Sequence, residues 1–255
     1  MNGSSTDLQA LVTGGGRGIG LATCEALLAS GHHVTAVARS ASDLAVATDA
    51  IGDPRFGTRA LDVRDEAGVA LLVDELAAAG PLVAVVAAHG VYPGARPALE
   101  TDTASFREVV EVNLVGSFVV AREAARVMRT SGGGSIVLIG SANGLGAERG
   151  TAAYNVSKAG IHSLAQSLAV DLAKDGIRVV AVAPGWVRTQ MTIDFIDADL
   201  ESGRTRYNAQ ARIAEPAEVA ALAAWLCSPA ASYVTGCTIP IDGGQMAEAP
   251  GPWSG

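Results

Sequence analysis

Residues 8–28 read LQALVTGGGRGIGLATCEALL, an apolar run, a cluster of glycines and a helical pattern in immediate succession. Glycines permit a tight turn and let the backbone approach a pyrophosphate, whose charge is stabilised by the exposed N–H groups and positive dipole end of the following helix. A glycine cluster alone is weak evidence, but one between a strand and a helix predicts a dinucleotide-binding turn. The residues expected to contact the dinucleotide are Gly14, Arg17, Gly18, Ile19 and Gly20.

Outward from this turn, short apolar runs alternate with longer helical stretches. Seven runs predict strands, at residues 8–12, 34–38, 58–61, 82–87, 135–139, 178–183 and 238–241. Because these runs are continuously apolar, they indicate a parallel sheet covered by helices on both faces. The sequence therefore predicts an α/β protein with a doubly wound, Rossmann-type fold, a seven-stranded parallel sheet and a single domain over residues 1–255. Long helices are expected at 103–129 and 151–174.

The composition limits the classes of function. The chain has 255 residues, 17% of them charged, and a net charge of -8; a nucleic-acid-binding surface would instead need clustered Lys and Arg. Cys24, Cys227 and Cys237 lack metal-ligand spacing and are interpreted as buried free thiols in a reducing compartment. The start of the chain does not resemble a signal peptide, and no segment is apolar for the about 20 residues that a membrane span needs. We expect a cytoplasmic protein without metal, nucleic-acid or membrane partners.

The end of the second predicted strand bears on the choice of cofactor. An NAD enzyme usually places Asp or Glu there to bind the ribose 2′-hydroxyl, whereas this strand ends in Val37-Ala38-Arg39-Ser40. Arg39 and Arg17 would form a cationic clamp for a 2′-phosphate, which favours NADP(H) over NAD(H). The alternative is that both arginines are solvated surface residues. We expect Ser40 to lie at the same cofactor site.

The segment after the third predicted strand, Asp62-Val63, is expected to bracket the adenine. Asp62 would accept a hydrogen bond from the exocyclic amine of the adenine. Its alternative role is to cap the helix that begins near Asp65. The spacing leaves both roles open.

Tyr154-Asn155-Val156-Ser157-Lys158 places a phenol and an ammonium group four residues apart, on one face of a predicted helix. A tyrosine with a pKa of about 10 is a poor base at neutral pH, but a cation held beside it stabilises the phenolate and lowers that pKa. Such pairs are common in ordinary helices. The pair therefore predicts proton-transfer chemistry only in combination with other motifs.

Together these motifs resemble the short-chain dehydrogenase/reductase family along essentially the whole chain. The matching positions occur in the family's order and at similar separations: Gly14, Gly18 and Gly20, Asp62-Val63, Asn113, Ser141, Tyr154 with Lys158, and Pro184-Gly185. The resemblance also implies a homo-oligomer, either a tetramer or a dimer.

The resemblance implies a role for each residue of the site. Tyr154 exchanges a proton with the substrate oxygen, while Ser141 hydrogen-bonds that oxygen and orients the carbonyl toward the nicotinamide. Lys158 lowers the pKa of Tyr154 and binds the nicotinamide ribose, and Asn113 binds a water that links Lys158 to solvent. Contacts to the nicotinamide amide and the phosphates are expected from Pro184, Gly185, Val187 and Thr189.

One segment departs from the family pattern. The family usually has Asn-Asn-Ala-Gly after the fourth strand, where this chain has Ala87-Ala88-His89-Gly90. The backbone of Ala88 and Gly90 is still expected to contact the cofactor. His89 either approaches the cofactor or substrate and titrates near neutral pH, or it is a packed, hydrogen-bonded histidine.

These features predict an NADP(H)-dependent oxidoreductase that transfers a hydride between the nicotinamide and a ketone or secondary alcohol. Imine reduction, dehydration or epimerisation on the same scaffold, and dinucleotide binding without turnover, are the alternatives.

Substrate selection is assigned to the segments that surround the catalytic residues: Tyr92, residues 143–150, Trp186 and a lid at residues 190–212. In the lid, Met191, Phe195, Ile196 and Tyr207 predict an apolar cover over the substrate. The alternative is that these side chains pack the lid onto its own domain.

Overall fold

The structure, a computed structural model, describes residues 7–201 and 208–247. At its centre lie seven strands, β1 Gln9–Thr13, β2 His33–Ala38, β3 Phe56–Ala60, β4 Leu82–Ala87, β5 Gly134–Ile139, β6 Ile177–Pro184 and β7 Thr238–Ile241. They form one parallel sheet in the order β3-β2-β1-β4-β5-β6-β7. The predicted doubly wound fold is confirmed, and each predicted strand lies within about two residues of its observed bounds, which is the usual uncertainty of strand and helix ends.

Helices cover both faces of the sheet. Those in the described residues are α1 Gly18–Ala29, α2 Ala41–Ile51, α3 Glu66–Ala79, α4 Thr103–Val110, α5 Gly116–Met128, α6 Ala152–Leu172, α7 Ile193–Glu201 and α8 Pro216–Cys227. Consecutive strand residues point to opposite faces, so Leu11 packs in the core beneath α3, α5 and α6, and Val12 in the core beneath α1, α2 and α8. None of the described helices has the length and hydropathy to cross a membrane.

The three cysteines are free thiols. Cys24 and Cys227 are buried as expected, whereas Cys237 is only half-buried. Burial raises the pKa of the Cys227 thiol to about 12 and that of Cys24 further. Both buried cysteines are therefore uncharged core side chains.

The long helix predicted at 103–129 is confirmed over residues 103–128, but it is not α-helical throughout. α4 and α5 are joined by a single π-helical turn, Glu111–Val115. Such a turn inserts one extra residue into a helix, and it depends on tertiary contacts rather than on hydrophobic periodicity. Here the turn contains Asn113, whose side chain is fully buried.

The first part of the expected lid forms α7. Ile196 is fully buried, whereas the side chains of Met191 and Phe195 remain partly exposed. Ile196 therefore packs the helix onto the domain, as the alternative interpretation held, and the other two remain available to a substrate. Tyr207 lies outside the described residues.

The strand order creates a crevice at one edge of the sheet. β1 has β2 on one side and β4 on the other, so the chains leaving β1 and β4 diverge toward opposite faces. In open α/β sheets, ligands bind outside the carboxyl ends of the strands at this point. The glycine turn and the segment after β4 meet there.

Candidate active site

A cleft with a volume of about 290 Å³ lies at the carboxyl ends of the strands. Its lining includes every residue predicted to be catalytic or to bind the cofactor except Asn113, which is buried behind it. Tyr92, residues 143–150 and Trp186, predicted to select the substrate, are not part of this lining. The predicted residues on the lining are Gly14, Arg17, Gly18, Ile19, Gly20, Arg39, Ser40, Asp62, Val63, Ala88, Gly90, Ser141, Tyr154, Lys158, Pro184, Gly185, Val187 and Thr189. The structure thus brings together residues that are up to 175 positions apart in sequence, from Gly14 to Thr189.

The glycine turn has the geometry of an anion cradle. Gly14 and Gly18 have φ values of +72° and +56°, a region that favours glycine. A Cβ atom on Gly14 would lie 2.7 Å from the backbone of Ala88, and one on Gly20 would lie 2.1 Å from the carbonyl oxygen of Gly14. The glycine segment therefore packs closely against the start of α1. In the part of the chain that the structure describes, no side-chain hydrogen bond from the N-cap residue, Arg17, caps this helix. The free N–H groups at the start of α1 suit a phosphate.

Two arginines and an acid share the end of the cleft next to β2. Arg17 and Arg39 both line it, and Arg17 Nη1 lies 3.8 Å from Asp43 Oδ2 on the first turn of α2. Ser40 is the N-cap of α2, and its hydroxyl accepts a hydrogen bond from the Asp43 amide at 3.1 Å. Sequence reasoning missed Asp43. The spacing of Ser40 and Asp43, an N-cap serine followed by an acid three residues later, is the signal that would have placed it here.

Asp62 lines the cleft and does not cap the following helix. Its carboxylate accepts hydrogen bonds from the side chain and backbone amide of Arg64, and the Arg64 side chain holds the pKa of Asp62 below its usual range. The cap of α3 is Asp65, which accepts a hydrogen bond from the Gly68 amide at 3.0 Å. Of the two roles considered for Asp62, capping is excluded.

At the other end of the cleft, Ser141 follows β5, while Tyr154 and Lys158 stand one turn apart on α6. The Ser141 Oγ accepts a hydrogen bond from the Asn143 amide at 3.1 Å. The ammonium of Lys158 donates to the carbonyl oxygen of Ile139 at 2.9 Å and lies 5.6 Å from the ring centroid of Tyr154. A hydroxyl, a phenol and an ammonium group therefore converge on one surface.

The expected effect of Lys158, a lower pKa of the Tyr154 phenol, stays a prediction, because burial acts on this phenol in the opposite direction. Burial raises the pKa of Tyr154 to about 12, and the neighbouring Tyr92 and Glu148 act in the same direction, against a lowering by Ser141. Burial also lowers the pKa of Lys158 to about 8. Both groups are desolvated, which favours their uncharged forms, and the Lys158 ammonium is directed to Ile139 rather than to the phenol.

The π-helical turn brings the Asn113 side chain to the segment after β4. Its Oδ1 accepts a hydrogen bond from the Val91 amide at 2.8 Å, and its Nδ2 donates to the Val91 carbonyl and to Ser157 Oγ, both at 3.1 Å. A Cβ atom on Gly90 would lie 3.3 Å from Asn113 Oδ1 and 3.5 Å from Lys158 Nζ. Because residue 90 is a glycine, the space between the amide oxygen and the ammonium stays open.

His89 is a packed, hydrogen-bonded residue. Its Nδ1 lies 2.6 Å from the hydroxyl of Thr13, and its Nε2 lies 3.4 Å from that of Ser117. Burial and the nearby positive charge of Lys158 lower the pKa of His89 to about 3. The second of the two sequence-based interpretations holds, although the residue also forms part of the cleft lining.

Tyr92 connects Tyr154 to α7 through ring contacts. Its ring stands edge-on to Tyr154, with centroids 5.1 Å apart, and edge-on to Phe195, with centroids 5.6 Å apart. Nearby, the Asn143 side chain donates a hydrogen bond to Glu148 at 2.6 Å. An aromatic wall and one carboxylate therefore flank the phenol, on the segments assigned to substrate selection.

Comparison with known proteins places these features in context. The family model described as "Enoyl-(Acyl carrier protein) reductase" matches residues 14–246. The chain is 38% identical over 238 residues to galactitol 2-dehydrogenase (L-tagatose-forming) from Cereibacter sphaeroides, which covers 92% of this chain and 93% of that protein. It is also 38% identical over 241 residues to cis-4-hydroxycyclohexanecarboxylate dehydrogenase from Sinomonas cyclohexanicum, with 93% and 96% covered.

The fold is similarly close to that of solved structures. A short-chain type dehydrogenase/reductase from Mycobacterium ulcerans superposes with a TM-score of 0.89 at 35% sequence identity, over 95% of this chain and 90% of that chain. Similarity in both sequence and fold extends over nearly the whole chain.

Proposed function

This chain belongs to the short-chain dehydrogenase/reductase family, and from that premise we propose that it is an NADP(H)-dependent oxidoreductase acting on a ketone or secondary alcohol. The observation that carries the proposal is one cleft with the glycine turn at one end and Ser141, Tyr154 and Lys158 at the other. Such a cleft positions a dinucleotide along its length and a carbonyl at the phenol.

The nicotinamide cofactor supplies or accepts the hydride when it is bound. In the direction of reduction, Tyr154 donates its phenol proton to the substrate oxygen, and Ser141 donates a hydrogen bond to the same oxygen. Because burial raises the pKa of Tyr154 to about 12, the phenol carries its proton at neutral pH. The free protein therefore holds the proton donor that reduction requires.

Lys158 and Asn113 support this proton transfer. The positive charge of Lys158 stabilises the phenolate that remains after Tyr154 has lost its proton, and its ammonium also binds the ribose of the cofactor. A water between Asn113 Oδ1 and Lys158 Nζ returns a proton from solvent, and the absence of a side chain on Gly90 leaves room for it. Chains of hydrogen bonds of this kind are efficient in buried sites because they need little reorganisation.

The preference for NADP(H) is supported by Arg17 and Arg39, which line the cleft beside β2. Two guanidinium groups match the geometry and charge of a 2′-phosphate. Asp43 lies 3.8 Å from Arg17 and offsets part of this positive charge. The net discrimination between NADPH and NADH is thus a balance of three side chains.

The proposal is tested with a panel of ketones, imines and secondary alcohols, each with NADPH or NADH, followed at the absorbance of the reduced nicotinamide. Tyr154→Phe should lower kcat by about 100-fold or more while NADPH still binds. Tyr233→Phe is the matched control, because Tyr233 is fully exposed and outside the cleft. Turnover that survives Tyr154→Phe would refute the assigned proton donor.

The same panel separates the other possibilities. Preference for NADH, or a cofactor preference unaffected by Arg39→Asp, would refute the NADP(H) assignment. Tight NADPH binding without turnover of any substrate would identify a dinucleotide-binding protein instead of an enzyme.

We also propose that the chain forms a homo-oligomer through α5 and α6. Phe118 on α5 and Val156 and Val170 on α6 are exposed apolar side chains, and contact with a second copy of the chain would remove their apolar surface from water. Light scattering should give a dimer or tetramer; a monomeric mass would contradict this assignment.

A further inference from the structure

Four buried residues of different segments meet behind the cleft: Thr13 at the end of β1, His89 after β4, Ser117 on α5, and Asn113 in the π-helical turn. Their exposed fractions are 2%, 9%, 1% and 0%, respectively. Buried polar groups need hydrogen-bond partners, because an unpaired group has lost its hydration without compensation. The hydrogen bonds among these four residues therefore indicate which parts of the cleft the cluster connects.

The hydrogen bonds of the cluster run in one direction. Ser117 Oγ donates to the backbone carbonyl of Asn113 at 2.7 Å, so toward the imidazole of His89 it acts as an acceptor. The proton of the ring is therefore assigned to Nε2, and the hydroxyl of Thr13 donates to the unprotonated Nδ1 at 2.6 Å. The backbone of Val112, next to Asn113, is a further hydrogen-bond partner of the imidazole. The chain of donors is Thr13, then His89, then Ser117, and it ends at the backbone carbonyl of Asn113.

The two ends of this chain are the two functional parts of the cleft. Thr13 is the first residue of the glycine turn, its carbonyl accepts from the Ala88 amide at 3.0 Å, and Gly14 packs directly on the backbone of Ala88. At the other end, Asn113 holds Val91 with two hydrogen bonds. The segment 88–91 is thus held by the phosphate turn on one side and by the π-helical turn on the other.

We propose that His89 is a positioning residue that couples the phosphate-binding turn to Asn113. The proposal rests on the function proposed above, in that it treats the cleft as a dinucleotide site with Tyr154 as proton donor. Through its hydrogen bonds to Thr13 and Ser117, His89 fixes the position of the neighbouring Gly90. The distance between the Asn113 amide and the Lys158 ammonium depends on that position. Movement of the glycine turn is thereby transmitted to the proton-relay end of the cleft.

A double-mutant cycle measures this coupling. Thr13→Val and Ser117→Ala each remove one hydrogen bond to the imidazole, and each should lower kcat by roughly three- to tenfold. If His89 couples the two residues, the fold-decrease of kcat in the double variant should be clearly smaller than the product of the fold-decreases in the two single variants. In a His89→Phe background, the effects of the two substitutions should instead multiply. NADPH dissociation constants and melting temperatures are recorded for every variant.

Ser135→Ala is the matched control for Ser117→Ala. Ser135 is equally buried and donates to the Leu226 carbonyl at 2.9 Å, at the end of β5 remote from the cleft. It should lower the melting temperature and leave kcat unchanged. Two results would overturn the proposal. One is that the fold-decreases of kcat for Thr13→Val and Ser117→Ala multiply in the wild-type background. The other is that His89→Phe lowers only the melting temperature and keeps kcat and NADPH affinity within about twofold of the wild-type values.

A measurement without substrate separates this proposal from the proposed function. The Val91 amide is bonded to Asn113 Oδ1, so His89→Phe should accelerate hydrogen exchange at Val91 by about tenfold in the cofactor-free protein, whereas Ser135→Ala should not. If the wild-type protein turns over no substrate, the proposed function fails, and the exchange at Val91 decides the role of His89 alone. An unchanged exchange rate in His89→Phe would refute it.

Discussion

The rings of Tyr92 and Tyr154 meet edge to face, with centroids 5.1 Å apart, and Tyr92 makes the same kind of contact with Phe195 on α7. Tyr92 therefore lies between Tyr154 and α7, and we expect its ring to form an aromatic wall beside a substrate held at the Tyr154 phenol. An aromatic wall contributes both apolar contact area and ring-edge interactions. We expect such a wall to favour substrates with an apolar ring or chain beside the carbonyl.

Substitution of Tyr92 should change substrate selection more than chemistry. In Tyr92→Ala, the KM for bulky alicyclic ketones should rise by about tenfold, because the wall they contact is lost. The kcat for a ketone as small as acetone should change little. Tyr92→Phe keeps the ring and serves as the control. Equal losses for large and small ketones would contradict a role in selection.

Gly90 should not tolerate a methyl group without loss of rate. A Cβ atom there would lie 3.3 Å from Asn113 Oδ1 and 3.5 Å from Lys158 Nζ, in the space assigned to the relay water. Gly90→Ala should lower kcat by about tenfold and leave NADPH affinity nearly unchanged, because a proton relay acts on the chemical step.

Gly57→Ala provides the matched control for this experiment. Gly57 lies in β3, and its added Cβ would come no closer than 3.6 Å to Thr35 Oγ1. Activity retained in both variants would argue that no water is needed between Asn113 and Lys158. Activity lost in both would indicate a general effect of the substitution on the sheet.

Local patterns were sufficient to predict the sheet and the glycine turn. The apolar runs of β4 and β6 and the succession of strand, glycines and helix are properties of neighbouring residues, and they need no tertiary information. The residues that line the cleft could also be predicted, because the carboxyl ends of parallel strands lie at one edge of the sheet. The resemblance to a family supplied Asn113, which the pattern of its own helix left unexplained.

Three features depended on contacts between distant residues and were not predicted. In the π-helical turn, the side-chain amide of Asn113 pairs with Val91, 22 residues earlier. The partner of His89 is Thr13, 76 residues away. Burial raises the pKa of Tyr154, and the extent of burial is a property of the folded environment rather than of the local sequence.

The rate of reduction should fall as the pH rises through about 8. Burial lowers the pKa of Lys158 to about 8, so its positive charge is present below that pH and lost above it. Loss of the charge removes the stabilisation of the Tyr154 phenolate. The profile of kcat/KM, which reports groups of the free enzyme, should therefore show a descending limb near pH 8.

Lys158→Arg tests the assignment of this limb. A guanidinium stays charged over the accessible range, so the limb should move upward in whatever activity the variant retains. Melting temperatures at each pH exclude unfolding as the cause. A wild-type rate that stays constant to pH 10, or a limb at the same pH in the variant, would show that Lys158 is not the titrating group.

Removal of the Asp43 charge should strengthen the discrimination in favour of NADPH. The carboxylate lies 3.8 Å from Arg17 Nη1 and would compete with the proposed 2′-phosphate for the same guanidinium. Asp43→Asn should lower the dissociation constant of NADPH by roughly two- to fivefold, the range expected for a partly solvated charge pair. NADH, which lacks the 2′-phosphate, should bind with nearly unchanged affinity.

Asp49→Asn, on the exposed side of the same helix, removes one negative charge without altering the cleft. Asp49→Asn therefore measures how much of any change in NADPH affinity comes from the net charge alone. This long-range effect is screened at about 0.15 M salt. The difference between the two variants should be largest at low ionic strength, because solvent-exposed charge pairs weaken as salt is added. If Asp43→Asn and Asp49→Asn change NADPH affinity equally, Arg17 is not engaged by the 2′-phosphate. The balance would then rest on Arg39, and the effect of Arg39→Asp on cofactor preference should be correspondingly larger.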